Sequence, residues 1–318
     1  MNPCSNNRYH TFCILLISFS FALVVWSGFY GYGFDYYNFY YKVNYSFSGQ
    51  VDTFGFLVST MTVANTHIGV FLVSFMLALS SGYLLNDHMN AKSLYGLVFW
   101  FLIFLLAIHT WPIIMSSSNA MRQGLAMSFL FFSLISFSKK KFLVMVIFGL
   151  LATISHKSGA FFFLLLVASY AALLVTKRIN NKAVIYFHIL AGGLVFLFST
   201  YLLGYFYSSG VDTRVIGHDF RVPFLLIFIS HIVIFIIKVR AIYDSYNIFM
   251  YFFSFSAPSL LVNGMNWEFE RLGMMVLFPY VFSFGSIINR NSYVLYLLLV
   301  FFSLFILTLY FGMYSSLK

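Results

Sequence analysis

Charge is scarce in this chain of 318 residues. Asp, Glu, Lys and Arg make up 8% of it, with 8 acidic residues against 18 basic ones. Because a soluble domain is nearer a quarter charged, lipid rather than water must solvate most of this surface. The two cysteines, Cys4 and Cys13, both lie near the N-terminus, so we expect neither a structural disulfide nor a metal site.

Signatures of nucleotide and metal chemistry are also missing from the sequence. It contains no P-loop, no dinucleotide-binding fingerprint, no HExxH or CxxC metal pattern, no GxSxG nucleophile elbow and no DxD-type pair. If the protein is an enzyme, we therefore expect it to work without a cofactor, a bound nucleotide or a tightly held metal.

Apolar and aromatic residues are what the chain has in abundance, at 61% hydrophobic and 22% aromatic. Apolar stretches long enough to cross a bilayer, about 20 residues, alternate with short polar segments. This predicts an all-α polytopic membrane protein, a single transmembrane domain over 1–318 with outer loops near 31–65 and 205–221. The predicted 11 transmembrane helices are 11–30, 66–85, 94–111, 120–138, 142–155, 159–176, 183–204, 222–237, 248–264, 272–288 and 293–312.

The lysines and arginines predict the orientation of these helices. Inner loops carry an excess of basic residues, and the richest turns in this chain are 139–141 and 177–182. This favours a cytoplasmic N-terminus. In that orientation six of the eight acids, together with four of the eight arginines, lie on the outer face. Any polar chemistry is therefore expected at that face.

The first candidate group is GYGFDYYNFYY, residues 31–41, just after the first predicted helix. It places Asp35 among Tyr36, Tyr37 and Tyr40. Phenolic rings offer flat apolar faces and hydroxyls, which suit stacking on a sugar. The alternative is an aromatic belt at the membrane interface.

The second group is SSSNAMRQGLA, residues 116–126, at the outer start of a predicted helix. The guanidinium fork of Arg122 suits a phosphate, and the helix N-terminus adds its own attraction for an anion. The alternative is an interfacial arginine that reaches toward water.

The third group is ISHKSGA, residues 154–160, between two closely spaced predicted spans. His156 is suited to proton transfer near neutral pH, and Lys157 is its neighbour. An ionisable residue at membrane depth indicates function by default. The alternative is a histidine hydrogen-bonded across helices.

The fourth group is NGMNWEFERLGMM, residues 263–275. It contains the only two glutamates of the chain, Glu268 and Glu270, with Arg271 and Trp267 beside them. Two carboxylates and a guanidinium can orient a sugar and a phosphate. They can also pair with one another as a structural clamp.

The fifth group is the loop SSGVDTRVIGHDFR, residues 208–221, with Arg214 and Arg221. A solvated polar loop is the simplest interpretation. A loop that guides a polymer is the alternative.

Taken in order, these groups resemble the EpsG/Wzy family of polysaccharide polymerases over roughly 25–290. The features are a Gly-x-Asp-Tyr-Tyr segment, an Arg-Gln-x-Leu-Ala helix start, a basic inner turn, an Ile-x-His-x-Ser turn and a late Glu-Arg pair. Their residues are Gly33, Asp35, Tyr36, Tyr37 and Tyr40; Arg122, Gln123, Leu125 and Ala126; Ile154, His156 and Ser158; and Glu270 and Arg271.

The resemblance implies a GT-C-like glycosyltransferase of the bacterial inner membrane, metal-independent and without a cofactor. Such a protein joins oligosaccharide repeat units carried on undecaprenyl pyrophosphate, both as donor and as acceptor, in O-antigen, capsule or exopolysaccharide biosynthesis. It acts at the outer leaflet. A chain-length regulator protein is an expected partner, and nucleic acid is not.

Specific roles follow from that reaction. The pyrophosphate leaving group needs cations, the acceptor hydroxyl needs a base, and the sugars need aromatic surfaces. The expected pyrophosphate-binding residues are Arg122, Arg271, Lys157, Arg214 and Arg221. The expected catalytic residues are His156, Glu268, Glu270 and Asp35, and the expected sugar-binding residues are Tyr36, Tyr37, Tyr40 and Trp267.

Two other functions fit the composition. A flippase for the same lipid-linked unit should carry charges along a central cavity, often between two repeated halves, whereas the charges of this chain crowd one face. A membrane sugar O-acyltransferase should have an intramembrane histidine paired with an arginine.

Overall fold

The computed structural model describes residues 3–33, 36–37, 68–89, 94–176, 267–283 and 290–310, with isolated helical positions between 183 and 201. The regular elements in these ranges are all helices, which confirms the all-α prediction. The predicted spans 222–237 and 248–264, and the predicted span 183–204 apart from those isolated positions, lie outside the described residues.

Most helices of the described ranges begin within three residues of a predicted span, but those that begin at Pro3 and Trp267 start eight and five residues before theirs. They are α1 (Pro3–Trp26), α2 (Ile68–Met89), α3 (Leu94–Ile108), α4 (Trp111–Ser118), α5 (Met121–Ser138), α6 (Phe142–Ser155), α7 (Lys157–Thr176), α8 (Trp267–Ser283) and α9 (Arg290–Tyr310).

The predicted span 94–111 differs from what is observed. It is a bent pair, α3 followed by α4, with an angle of 55° between them. Thr110 is extended at the bend, and Pro112 stands in the first turn of α4. A proline ring clashes with the carbonyl four residues earlier, in this case that of Ile108, so α3 ends there.

Among the residues that the structure describes, three helices are long and apolar enough to cross a membrane, and up to four if the bent pair is one span. They are α1, α2 and α9, and the bent pair is α3 with α4. α6 and most of α7 are apolar but shorter. The membrane class is therefore established for this part of the chain, and the total of 11 helices and the GT-C-like arrangement stay predictions.

The chain divides into two compact units. Unit 1 is Met1–Phe163 with Val294–Lys318, and unit 2 is Leu164–Tyr293.

In unit 1, α1 and α2 are antiparallel and come together at a glycine. A Cβ on Gly82 would lie 3.0 Å from Ile14 Cγ2 and 2.8 Å from Phe104 Cζ, so three helices meet there. α2 runs parallel to α5, because Val73 lies near Gly124 and Asp87 near Ser138. Within this part of unit 1 the helices form one bundle with a shared core.

In unit 2, α8 buries its later turns, including Met275 and Phe278. Pro279 lies inside the helix and cannot donate to the preceding turn. At the C-terminal end of α8, the Phe282 carbonyl accepts a 3.2 Å hydrogen bond from the Tyr293 hydroxyl.

Candidate functional site

The hairpin of α5 and α6 places Arg122 and His156 at the same end of unit 1. The Ser133 hydroxyl donates to the Met145 carbonyl across the hairpin at 2.8 Å. Phe129 faces Phe148 in the same register. If that antiparallel register is followed to the start of α5, Arg122 lies level with the residue that follows α6, which is His156.

We call this the His156 end of unit 1. The opposite end, where α5 turns into α6 through Lys139–Lys141, is called the basic end. At the basic end Ser138 donates to an Asp87 carboxylate oxygen at 2.5 Å, and Lys139 Nζ lies 3.9 Å from the other oxygen. The acid is therefore already engaged with groups of the basic end.

His156 is the one residue between α6 and α7, and its backbone serves both helices. Its φ of −163° and ψ of 150° are extended. Its N–H donates to the Ala152 carbonyl at 3.3 Å, and its own carbonyl accepts from the Gly159 N–H at 2.9 Å. The chain thus reverses at this single residue.

The imidazole of His156 caps the start of α7. Nδ1 lies 3.2 Å from the Ser158 backbone nitrogen, which donates to it, and 2.6 Å from the Ser158 hydroxyl oxygen. The first amides of a helix have no partner within it, so a side chain that accepts from the second or third amide stabilises the helix. Ser158 is buried, whereas His156 is half-buried.

Gly159 lets α7 approach α6 closely behind this turn. A Cβ there would lie 1.9 Å from the Ala152 carbonyl oxygen, which no real contact allows. The glycine therefore holds the His156–Ser158 turn tightly against α6.

The tyrosine segment after α1 reaches the same end. Gly33 has a φ of +70°, and a Cβ on it would lie 2.6 Å from Cγ of Asn119. Asn119 stands between α4 and α5, two residues before Met121, the first residue of α5. The segment therefore packs beside the helix start that carries Arg122.

The rings of this segment form a cluster of three tyrosines. Tyr36 lies 4.7 Å from Tyr32 and 5.4 Å from Tyr37, measured between ring centroids. Tyr36 is buried, whereas Tyr37 is 48% exposed. Of these two predicted sugar-binding tyrosines, Tyr37 has the ring that a sugar can reach.

Tyr32 connects the cluster to the end of α1. Its hydroxyl donates to the Trp26 carbonyl at 2.6 Å and so satisfies an acceptor at the end of α1. Burial, and secondarily the nearby Tyr37, raises the pKa of Tyr32. The phenol therefore remains a hydrogen-bond donor at neutral pH.

Arg122 is the second residue of α5, where it is half-buried. A cation at a helix N-terminus is disfavoured by the helix dipole, and an anion bound there would offset that cost. α4 packs directly against this first turn, because a Cβ on Gly124 would lie 2.0 Å from the Ser116 carbonyl oxygen. The helix start is thus held in place by contact with its neighbour.

The structure places the other predicted residues as follows. Lys157 is the first residue of α7, beside His156. Trp267, Glu268, Glu270 and Arg271 lie in the first two turns of α8, in unit 2. Asp35, Tyr40, Arg214 and Arg221 lie outside the described residues.

The sequence interpretation missed Asn119 and the cap that His156 forms on the Ser158 amide. Asn119 interlocks with a glycine 86 positions earlier in the chain, and no local pattern signals such a contact. The Ser158 contact had a signal, because a polar residue just before an apolar run marks a helix N-cap, and His156 takes that place in this turn.

Comparison with known families identifies the chain. The model of the EpsG family matches residues 9–317, nearly the whole chain. Among curated proteins and among solved structures no match to the chain is found. The resemblance indicated by the sequence motifs is confirmed, and the chain belongs to the EpsG family, a Wzy-like family of polysaccharide polymerases.

Proposed function

We propose that this protein polymerises undecaprenyl-pyrophosphate-linked oligosaccharide repeat units at the outer face of the bacterial inner membrane, as a Wzy-type O-antigen or capsule polymerase. Family membership suggests a polysaccharide polymerase acting on lipid-linked sugars. The observation that supports a site most directly is the hairpin register, which brings Arg122 and His156 to one end of unit 1.

The leaving group of this reaction is a pyrophosphate, which needs positive charge more than it needs a proton. Arg122 offers two parallel donors from a helix start that favours anions. Fixed donors aimed at charge that develops in the transition state are the largest single source of acceleration in many enzymes. The other proposed pyrophosphate ligands are Lys157, Arg214, Arg221 and Arg271.

The acceptor is a sugar hydroxyl, which must lose its proton as it attacks the anomeric carbon. Carboxylates and a histidine are available for this step. The proposed catalytic residues are His156, Glu268, Glu270 and Asp35, of which the three carboxylates can take this proton. Tyr37 is the proposed stacking surface for a sugar, with Tyr36, Tyr40 and Trp267 beside it in the proposal.

The two ends of unit 1 support the proposed orientation. The lysine turn at 139–141 is typical of a cytoplasmic loop, so the His156 end faces the periplasm and the N-terminus is cytoplasmic. The lipid-linked repeat unit would be bound at the outer leaflet, with a chain-length regulator as a partner.

The deciding experiment is deletion of the encoding gene, followed by electrophoresis of the lipopolysaccharide. Loss of a polymerase leaves single repeat units on lipid A core, since export and ligation continue. Loss of a flippase leaves no repeat unit at all, and loss of an O-acyltransferase leaves long chains that lack acyl groups. Either of the last two patterns would overturn the proposal, and the chain re-expressed from a plasmid is the control.

A further inference from the structure

We propose that His156 acts through an N–H at Nε2 that donates to the pyrophosphate leaving group, and that Ser158 is the positioning residue that fixes this tautomer. The inference rests on the proposed function for the identity of the ligand. It changes the role of His156, because a residue expected to take a proton becomes one that supplies a hydrogen bond.

The contact from the Ser158 backbone decides the tautomer. A backbone N–H can only donate, and it points at Nδ1 from 3.2 Å. Nδ1 must therefore be the acceptor. A neutral imidazole has one acceptor nitrogen and one N–H, so the proton is on Nε2.

The opposite tautomer would leave a helix start unsatisfied. A proton on Nδ1 would face the Ser158 N–H, and that amide is the second of α7, which has no partner within the helix. A buried donor left unpaired pays its full desolvation cost with no hydrogen bond to offset it. The Ser158 hydroxyl oxygen lies 2.6 Å from Nδ1, and with the proton on Nε2 this hydroxyl donates to Nδ1.

Ser158 can hold this geometry because it cannot move far. It is 4% exposed, and the next residue, Gly159, is pressed against the Ala152 carbonyl of α6. The ring orientation of His156 is thus set by the α6–α7 turn itself. The role of Nδ1 is therefore defined before any substrate binds.

The tautomer determines what the ring can do in the transfer. The acceptor oxygen forms a bond to the anomeric carbon, and the bond from that carbon to the pyrophosphate oxygen breaks, leaving its electron pair on the pyrophosphate. The only lone pair of the neutral ring is held by Ser158, so His156 does not receive the hydroxyl proton. Its Nε2–H instead donates to the charge gathering on the pyrophosphate.

A carboxylate then takes the proton of the acceptor hydroxyl. Asp35, Glu268 and Glu270 are the carboxylates proposed for this step. The carboxylic acid formed in this step returns its proton to water after the product leaves.

Two substitutions separate the donor role from a structural role. His156→Asn keeps a good N-cap group where Nδ1 stands, and removes the donor at Nε2. His156→Gln places an amide donor near the Nε2 position but caps poorly. We expect Asn to be the more heat-stable protein with about 100-fold or more loss of polymerisation, and Gln to be less stable but within roughly tenfold of wild type. The reverse order of activities would overturn the proposal, as would near-normal activity in both variants.

The tautomer can be read directly by ¹⁵N NMR of the full chain, labelled at histidine and held in lipid nanodiscs. The signal absent from His156→Gln is that of His156, and we expect a proton on Nε2. Farnesyl pyrophosphate, used as a short lipid pyrophosphate, should shift it, and farnesol should not. An Nδ1–H signal overturns the inference even where both variants are inactive.

The same measurement keeps this inference apart from the proposed function. If the gene deletion shows that the protein is not a polymerase, the Nε2–H signal and its response to farnesyl pyrophosphate still stand. If the deletion confirms a polymerase but His156 carries its proton on Nδ1, only the donor role of His156 fails.

Discussion

The two ends of unit 1 hold their polar side chains by different kinds of contact. At the basic end, the Asp87 carboxylate accepts a hydrogen bond from Ser138 and pairs with Lys139. Both partners of Asp87 are side chains, and that of Lys139 is 51% exposed. At the His156 end, backbone contacts and a crowded glycine hold the imidazole of His156. The first arrangement tolerates side-chain movement, whereas the second fixes a ring in one orientation. Fixed geometry is what binding and catalysis require.

The sharpest way to break this comparison is to remove one cation from each end. If Arg122 binds the pyrophosphate as proposed, Arg122→Ala should lower polymerisation by about 10²- to 10³-fold, because a donor to the developing charge is lost. Arg122→Lys should recover only part of the activity, since a single ammonium cannot form the two parallel bonds of a guanidinium. Polymer length and yield in membranes from each strain provide the measurement.

Lys141→Ala is the matched control at the basic end. Lys141 is exposed in the turn between α5 and α6. Near-normal polymer is expected from this variant at equal membrane level. Equal losses in the Arg122 and Lys141 variants would mean that the two ends do not differ in function.

The next largest effect is expected at the tight turn beside His156. In Gly159→Ala the new Cβ would lie 1.9 Å from the Ala152 carbonyl oxygen. Because that oxygen belongs to the backbone of α6, relieving the clash requires a shift of the helix. Overpacking of this kind costs about 1–3 kcal/mol, so the variant should lose heat stability and activity together. Heating in detergent followed by size-exclusion chromatography gives the stability.

Gly149→Ala, in α6, provides the control within the same pair of helices, α6 and α7. A Cβ on Gly149 would meet the ring of Phe163 at 2.0 Å, and a side chain can rotate away where a carbonyl cannot. A smaller loss is therefore expected. If Gly149→Ala proves the more damaging, the close approach at Gly159 is not what fixes the turn.

Within the described ranges, the sequence predicted the positions of most helices, because the length of an apolar run and the polar residues that end it are local properties. The span 142–155 coincides with α6 to the residue. The bend between α3 and α4 was not predicted. The apolar run is long enough for a single span, and the break comprises only residues 109–110. Pro112 was its only local signal.

The candidate site was predictable as a set of residue types but not as an arrangement. Arg122 and His156 stood out because polar residues are costly at membrane depth. Their shared end depends on the register of a hairpin, and the exposure of Tyr37 as against Tyr36 depends on three-dimensional packing. The tautomer of His156 depends on one hydrogen bond, which no sequence pattern specifies.

A third test sharpens the comparison inside the His156 end. Tyr37 is half-exposed, so Tyr37→Ala should raise the KM for the lipid-linked repeat unit by roughly 2- to 12-fold, the range expected for one aromatic contact. Tyr37→Phe keeps the ring and should behave almost as wild type. A loss confined to membrane insertion, with KM unchanged, would instead mark Tyr37 as a residue of the interfacial belt.

The smallest effect is expected at the basic end, where Asp87→Asn removes one charge from the pair with Lys139. The Ser138 hydroxyl can still donate to the amide oxygen of Asn, so only the 3.9 Å ion pair is lost. An ion pair with a partner this exposed is worth about 0–1 kcal/mol and is screened by salt. Heat stability should therefore fall slightly at low salt and match wild type at high salt. Polymer yield should not change, because acidic residues contribute little to topology and the lysine turn is intact. A drop in polymer as deep as that of Arg122→Ala, at normal protein level, would place chemistry at the basic end and reverse the roles of the two ends.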